Sequence, residues 1–153
     1  MTTRSIPAVD GDYTAKNGRT YHFRSLIEQD YMRYLDLYTP AEPWTYEPHL
    51  FRDSRGATRI DFCNQYAECC VWTELKPDGF LGWTSADVDK AISKLEVVRR
   101  ARPRDRVCLM TWRAGWADLV ASGQPIPGVW LLGYKTGWYL IEGGASTYYR
   151  AAA

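Results

Sequence analysis

At 153 residues the chain is long enough for one domain whose core needs neither disulfides nor a metal. Its 46% hydrophobic content excludes a disordered polymer, and a formal net charge of +1 excludes a protein that coats nucleic acid or anionic membrane through its overall field. Seven Trp and eleven Tyr make the chain aromatic-rich, a composition suited to a ring-built core or to a binding surface.

Residues 1–11 read as an N-terminal arm and 12–150 as a single domain. Neither the arm nor any later stretch has an apolar run of signal-peptide or membrane-spanning length. A protein of the cytoplasm, or of the inside of a viral particle, is therefore expected, with no membrane partner. Asp12–Lys16 and Arg19–Phe23 flank Asn17-Gly18, the dipeptide that best tolerates the positive φ angles of a tight turn, so a hairpin opens the fold. Ser25-Leu26-Ile27-Glu28 matches a capping box, and Ile27, Tyr31, Tyr34, Leu35 and Tyr38 follow at helical spacing until Pro40; a helix over 26–38 follows.

His49–Arg52 and Ala57–Phe62 surround the turn formers Asp53-Ser54-Arg55-Gly56 and predict a second hairpin. Asn64–Leu75 reads as a helical start passing into a strand, and Lys76-Pro77-Asp78-Gly79 as a reversing turn.

The clearest element is a helix over 85–101. Thr84 or Ser85 can cap it, and Asp87 and Asp89 suit the positive end of its dipole. Val88, Ala91, Ile92, Leu95 and Val98 make one apolar stripe, and Pro103 stops extension. Val107–Trp112 is then a short apolar run fit for a strand central in a sheet. Trp116–Val120 suggests a short helix closed by Gly123. Val129–Tyr134 and Trp138–Ile141 bracket Lys135-Thr136-Gly137 as a third hairpin, and Gly143–Thr147 reads as a terminal turn. The fold class expected is α+β: one domain of mainly antiparallel hairpins packed with two principal helices.

Signals for chemistry are sparse. His22 and His49 sit among apolar or aromatic neighbours and read as packed or surface residues. Cys63, Cys69, Cys70 and Cys108 lack both a disulfide framework and paired zinc spacing, so neither metal nor cofactor is expected.

The local anomaly is basic. Lys94–Arg106 holds six bases against two acids, which leaves the rest of the chain acidic. Arg99, Arg100, Arg102, Arg104 and Arg106, with Trp112 and Trp116, are the candidate binding residues, because arginine and stacking rings together suit anions, protein surfaces or single-stranded nucleic acid. Composition ranks a non-catalytic protein-binding or assembly component first, of the kind a virus or mobile element uses, with a protein partner or self-association through the arm. A nucleic-acid binder using the Arg99–Arg106 helix end comes second, and a small enzyme with a Cys or carboxylate catalytic group third.

Overall fold

The computed structural model describes residues 9–38, 43–77, 85–112, 122, 129–134, 137–142 and 145–150. The opening hairpin pairs β1 (Gly11–Thr14) with β2 (Thr20–Phe23). Gly18 takes φ +87°, and the Asn17 side chain accepts the Arg19 N–H, which closes the turn. Helix α1 (Leu26–Tyr38) begins as its capping signal requires. Ser25 Oγ accepts the Glu28 N–H at 3.2 Å, while Glu28 Oε2 reaches back to the Arg24 N–H at 2.7 Å.

Among the described residues seven strands form the main sheet, in the order β11-β10-β9-β8-β7-β6-β3. Their ranges are β3 (Trp44–Tyr46), β6 (Phe62–Gln65), β7 (Cys70–Pro77), β8 (Arg106–Trp112), β9 (Val129–Tyr134), β10 (Gly137–Glu142) and β11 (Ala145–Arg150). The separate hairpin β4 (Leu50–Asp53) and β5 (Gly56–Arg59) lies between β3 and β6 in sequence. Helix α2 (Ser85–Ala101) links β7 to β8. Apart from the parallel pair β7–β8, all neighbours among the described strands are antiparallel, and the chain is a single α+β domain.

The two helices cover opposite faces of the β3–β6–β7–β8 half. Tyr31, Met32 and Leu35 of α1 pack on Trp44, Phe62, Leu75, Cys108 and Met110, together with Phe23 of the hairpin. Ala91, Leu95, Val97 and Val98 of α2 pack on Cys63, Trp72, Val107 and Leu109, with Phe51 and Ile60 from the β4–β5 unit. Alternate residues of β8 thus serve alternate cores, which explains why this strand reads as continuously apolar and sits fourth of seven. On the α1 side the aromatic residues form one cluster. Phe62 meets Tyr31 edge-on at 4.7 Å and Tyr46 at 5.3 Å, while Trp44 lies 5.1 Å from Tyr21.

Several expectations are corrected. Residues 64–75 contain no helical start; β6 and β7 form a hairpin there, because the alternation of Cys63 and Trp72 against Phe62 and Thr73 serves two cores at once. Phe62 belongs to β6 and not to the β5 hairpin. Lys76 and Pro77 extend β7, and residues 78–79 of the expected turn lie outside the described residues. β7–α2–β8 is a parallel crossover, set by an element long enough to carry the chain back across the sheet. Gly137 pairs with Tyr134 inside the β9–β10 ladder, and residues 145–147 are strand and not terminal turn. The expected helix at 116–120 and most of the N-terminal arm lie outside the described residues. Among the described residues no helix is long and apolar enough to cross a membrane.

Candidate functional site

The arginine end of α2 is more engaged than its sequence suggests. The Arg99 side chain is only 16% exposed; it lies 3.4 Å from Glu96 and donates to the Gly137 carbonyl at 3.4 Å. Arg100 Nε donates to Asp53 Oδ2 at 2.7 Å and ties the helix end to β4. That bond, first among its causes, lowers the Asp53 carboxyl. Arg102 is exposed and stands 5.9 Å from the centre of the Phe51 ring, within cation–π reach. Arg104 and Arg106 are exposed. A cleft of about 400 Å³ lies beside them, lined by Glu96, Arg99, Arg100, Asp105 and Arg106 among others. Trp112 ends β8 at the level of Pro77, and Trp116 falls outside the described residues, so the expected arginine–tryptophan groove lies outside the described part.

His22 is exposed and held between Asp12 at 2.9 Å and Asp10 at 3.1 Å; the Asp12 hydrogen bond leads in raising its pKa. The His49 ring meets the Phe51 ring 4.7 Å away. All four cysteines are free thiols, and burial pushes Cys63 and Cys108 up to about 12, which removes them as ready nucleophiles.

A different constellation lies where β3, β6 and β7 meet. The register that pairs Phe62 with Thr73, continued by one residue, sets Asp61 across from Glu74. The ladder that pairs Tyr46 with Phe62 continues likewise, since the Glu47 N–H donates to the Asp61 carbonyl at 2.7 Å. Glu74 lies two residues along β7 from Trp72 and so shares the α2 face, while Asp61 occupies the bend just before β6. From α2, Lys94 Nζ reaches Glu74 Oε1 at 2.8 Å, and Lys76 Nζ lies 3.5 Å from the same oxygen.

Glu74 is 3% exposed, and its second oxygen, Oε2, is buried without a hydrogen-bond partner. Leaving a buried acceptor unmatched costs roughly 1–3 kcal/mol. Beside it, the Asp61 carboxyl is pushed up to about 7, first by burial and then by the Glu74 charge, although its Oδ2 accepts the Leu75 N–H at 2.9 Å. Glu47, next in the row, is the one non-glycine residue with positive φ among the described residues, at +45°; its carboxylate is bound by Arg24 at 2.6 Å. Backbone held in that region costs of order 1–3 kcal/mol, and such strain gathers at functional sites. On α1, Glu28 receives the Tyr46 hydroxyl at 2.9 Å and adds to the negative field at Asp61.

Two carboxyl groups set across the register from each other, one oxygen unmatched and two ammonium groups nearby, have the chemistry to share a proton or to attract a cation. Among the described residues no group of three or more His, Cys, Asp or Glu is placed to hold a metal ion, so a cation here would take its remaining ligands from water and substrate. Histidine and cysteine spacing carried no sign of this site. The available signal was an acid inside each of two apolar runs, Ile60-Asp61-Phe62 and Thr73-Glu74-Leu75.

No protein-family model matches the chain, and no curated protein sequence matches it.

Proposed function

We propose that the protein is an enzyme that hydrolyses phosphodiester bonds in nucleic acid, with Asp61 and Glu74 holding a divalent cation. The observation that carries this reading is the buried, unpartnered Glu74 Oε2 opposite a carboxyl whose ionisation is disfavoured. A structural ion pair between Glu74 and Lys94 accounts for one oxygen of Glu74 and leaves the other unexplained.

Magnesium sites that act on phosphates commonly use one or two protein carboxylates and complete their shell with water and substrate oxygens, so this pair suffices. The cation would supply an activated water and neutralise charge on the phosphoryl oxygens. The chain's own residues do the rest. Lys94 holds Glu74 in one orientation, Leu75 N–H fixes Asp61, and Lys76 adds positive charge beside the pair. Nucleic acid is favoured over smaller phosphodiesters because basic side chains flank the same helix that carries Lys94.

The test is incubation of labelled duplex, single-stranded and branched DNA and RNA with magnesium or manganese, alongside calorimetric titration of magnesium. Wild type should cleave at least one substrate, and Asp61→Asn and Glu74→Gln should each reduce the rate a hundredfold or more and weaken magnesium binding. Absence of cleavage and of magnesium binding in the wild type would sink the reading.

A second reading, an assembly component, is supported by β11, which pairs only with β10 among the described strands and leaves one strand edge open. Light scattering at micromolar concentration tests it: a monomer would count against assembly through that edge.

A further inference from the structure

The β4–β5 hairpin is the element that the cation-site reading leaves without a role. Its inner face is committed, with Phe51 and its cross-strand neighbour Thr58 buried and Phe51 packed in the α2 core. Its outer face is basic. The register pairs Leu50 with Arg59 and Arg52 with Ala57, so Arg52 and Arg59 share the face opposite Phe51, and Arg55 sits at the tip. All three arginines are exposed. The hairpin's one acid, Asp53, is taken by Arg100, and none of Arg52, Arg55 and Arg59 joins an ion pair among the described residues.

The same two contacts that anchor the hairpin also merge its charge with that of α2. Asp53 binds Arg100, and Phe51 lies beneath Arg102. Exposed Arg102 and Arg104 therefore add positive charge where the end of α2 runs alongside β4. Lys94 at the carboxylate site precedes Arg102 by eight residues, about 12 Å along a helix at 1.5 Å per residue. Phosphates of one strand advance about 3.4 Å per step along a duplex, so the two places are about three to four steps apart. The chain also enters the site directly from this hairpin, since Ile60 is buried in the α2 core and Asp61 follows it.

We infer that the outer face of the β4–β5 hairpin, with Arg52, Arg55 and Arg59, and the adjoining end of α2 form a docking surface for the phosphate backbone of duplex nucleic acid. As the place where substrate is held beside Asp61 and Glu74, it rests on the proposed function; as a binding surface, it can be measured alone. A duplex is favoured over a single strand because single strands are gripped by stacking on rings. The hairpin's aromatic ring, Phe51, is buried on the opposite side. Neutralising phosphates releases counterions, so each arginine in contact should add about 0.9 to the slope of log affinity against log salt.

The experiment measures binding of a fluorescein-labelled 24-base-pair DNA duplex in EDTA, where cleavage is suppressed, across a range of salt. The Arg52→Gln/Arg55→Gln/Arg59→Gln variant should bind at least tenfold more weakly, with a slope shallower by about two to three. The corresponding triple Lys variant should keep most of the affinity, and Arg104→Gln alone should lower the slope by up to about one. Unaltered circular dichroism of the exposed-side variants, with Arg104→Gln as the second probe, separates lost binding from lost folding. Affinity within twofold of wild type at an unchanged slope overturns the inference. So does tighter binding of the single strand, or displacement of DNA by poly-glutamate at equal charge, which would assign the face to acidic protein. If wild type binds the duplex through these arginines yet cleaves nothing with any metal, the surface stands and the enzymatic reading falls. If it cleaves while the triple variant binds normally, the reverse holds.

Discussion

Replacing Asp61 with Asn tests the acidic pair through folding as well as through activity. The Asp61 carboxyl stands at about 7 in the folded chain against 3.8 ordinarily. A group that holds its proton more tightly when folded contributes its full stability below about pH 4, and that contribution is lost as pH rises through 7. At 1.36 kcal/mol per pH unit, a gap of about three units sets an upper bound of about 4 kcal/mol. Sharing of the titration with Glu74 and the partial exposure of Asp61 reduce the expected value to about 2–3 kcal/mol. Asparagine retains a carbonyl oxygen for the Leu75 N–H and carries no charge at any pH. Asp61→Asn should therefore match wild type near pH 3.5 and exceed it by about 2–3 kcal/mol at pH 8. At roughly 2–4 °C per kcal/mol for a chain of this length, the melting temperature should rise by about 4–12 °C. Urea denaturation at the two pH values measures the difference directly. Magnesium at a hundred times its dissociation constant should return about 2.7 kcal/mol to the wild type and little to the variant. A stability difference that does not change between about pH 3.5 and 8, or a variant less stable than wild type at pH 8, refutes the reasoning.

Lys94→Met removes the closest countercharge of buried Glu74; because the lysine side chain is 41% exposed and Lys76 remains nearby, the expected loss at pH 8 is about 1–3 kcal/mol by chemical denaturation, with Lys94→Arg losing less. Phe62→Ala empties a fully buried position among Tyr31, Trp44 and Tyr46 and should cost about 3–5 kcal/mol in the same assay. Gly18→Ala meets no atom within 4 Å, so its loss, about 1 kcal/mol by thermal melting, should come from the +87° φ angle alone.

Local rules were sufficient where the deciding interaction is local. The bounds of α1 and α2 were legible in Ser25, Glu28 and Pro103, because caps and stops act within one turn of the residue that makes them. Asn17-Gly18 and Ser54-Arg55 announced their hairpins because turn chemistry involves only neighbours. The central place of β8 was legible because a strand buried on both faces must be apolar at every position described, from Val107 to Met110. Residues 64–75 misled because Phe62, Tyr66 and Cys70 share a helical spacing by coincidence; a strand serving two cores writes no single period into the sequence.

The candidate site belongs to the tertiary structure. Asp61 and Glu74 are thirteen positions apart and become opposite neighbours only through the β6–β7 register, while Lys94 arrives from a helix beyond both. The arginines divide in the same way. Arg99 and Arg100 looked equivalent to Arg102 and Arg104 in sequence, yet Glu96 and Gly137 hold Arg99 partly buried and Asp53 pairs with Arg100, while Arg102 and Arg104 stay exposed. Charge composition is set by the residues themselves. Whether a charge is buried, paired or presented depends on which distant strand lies within about 4 Å of it, and long-range pairing decides that.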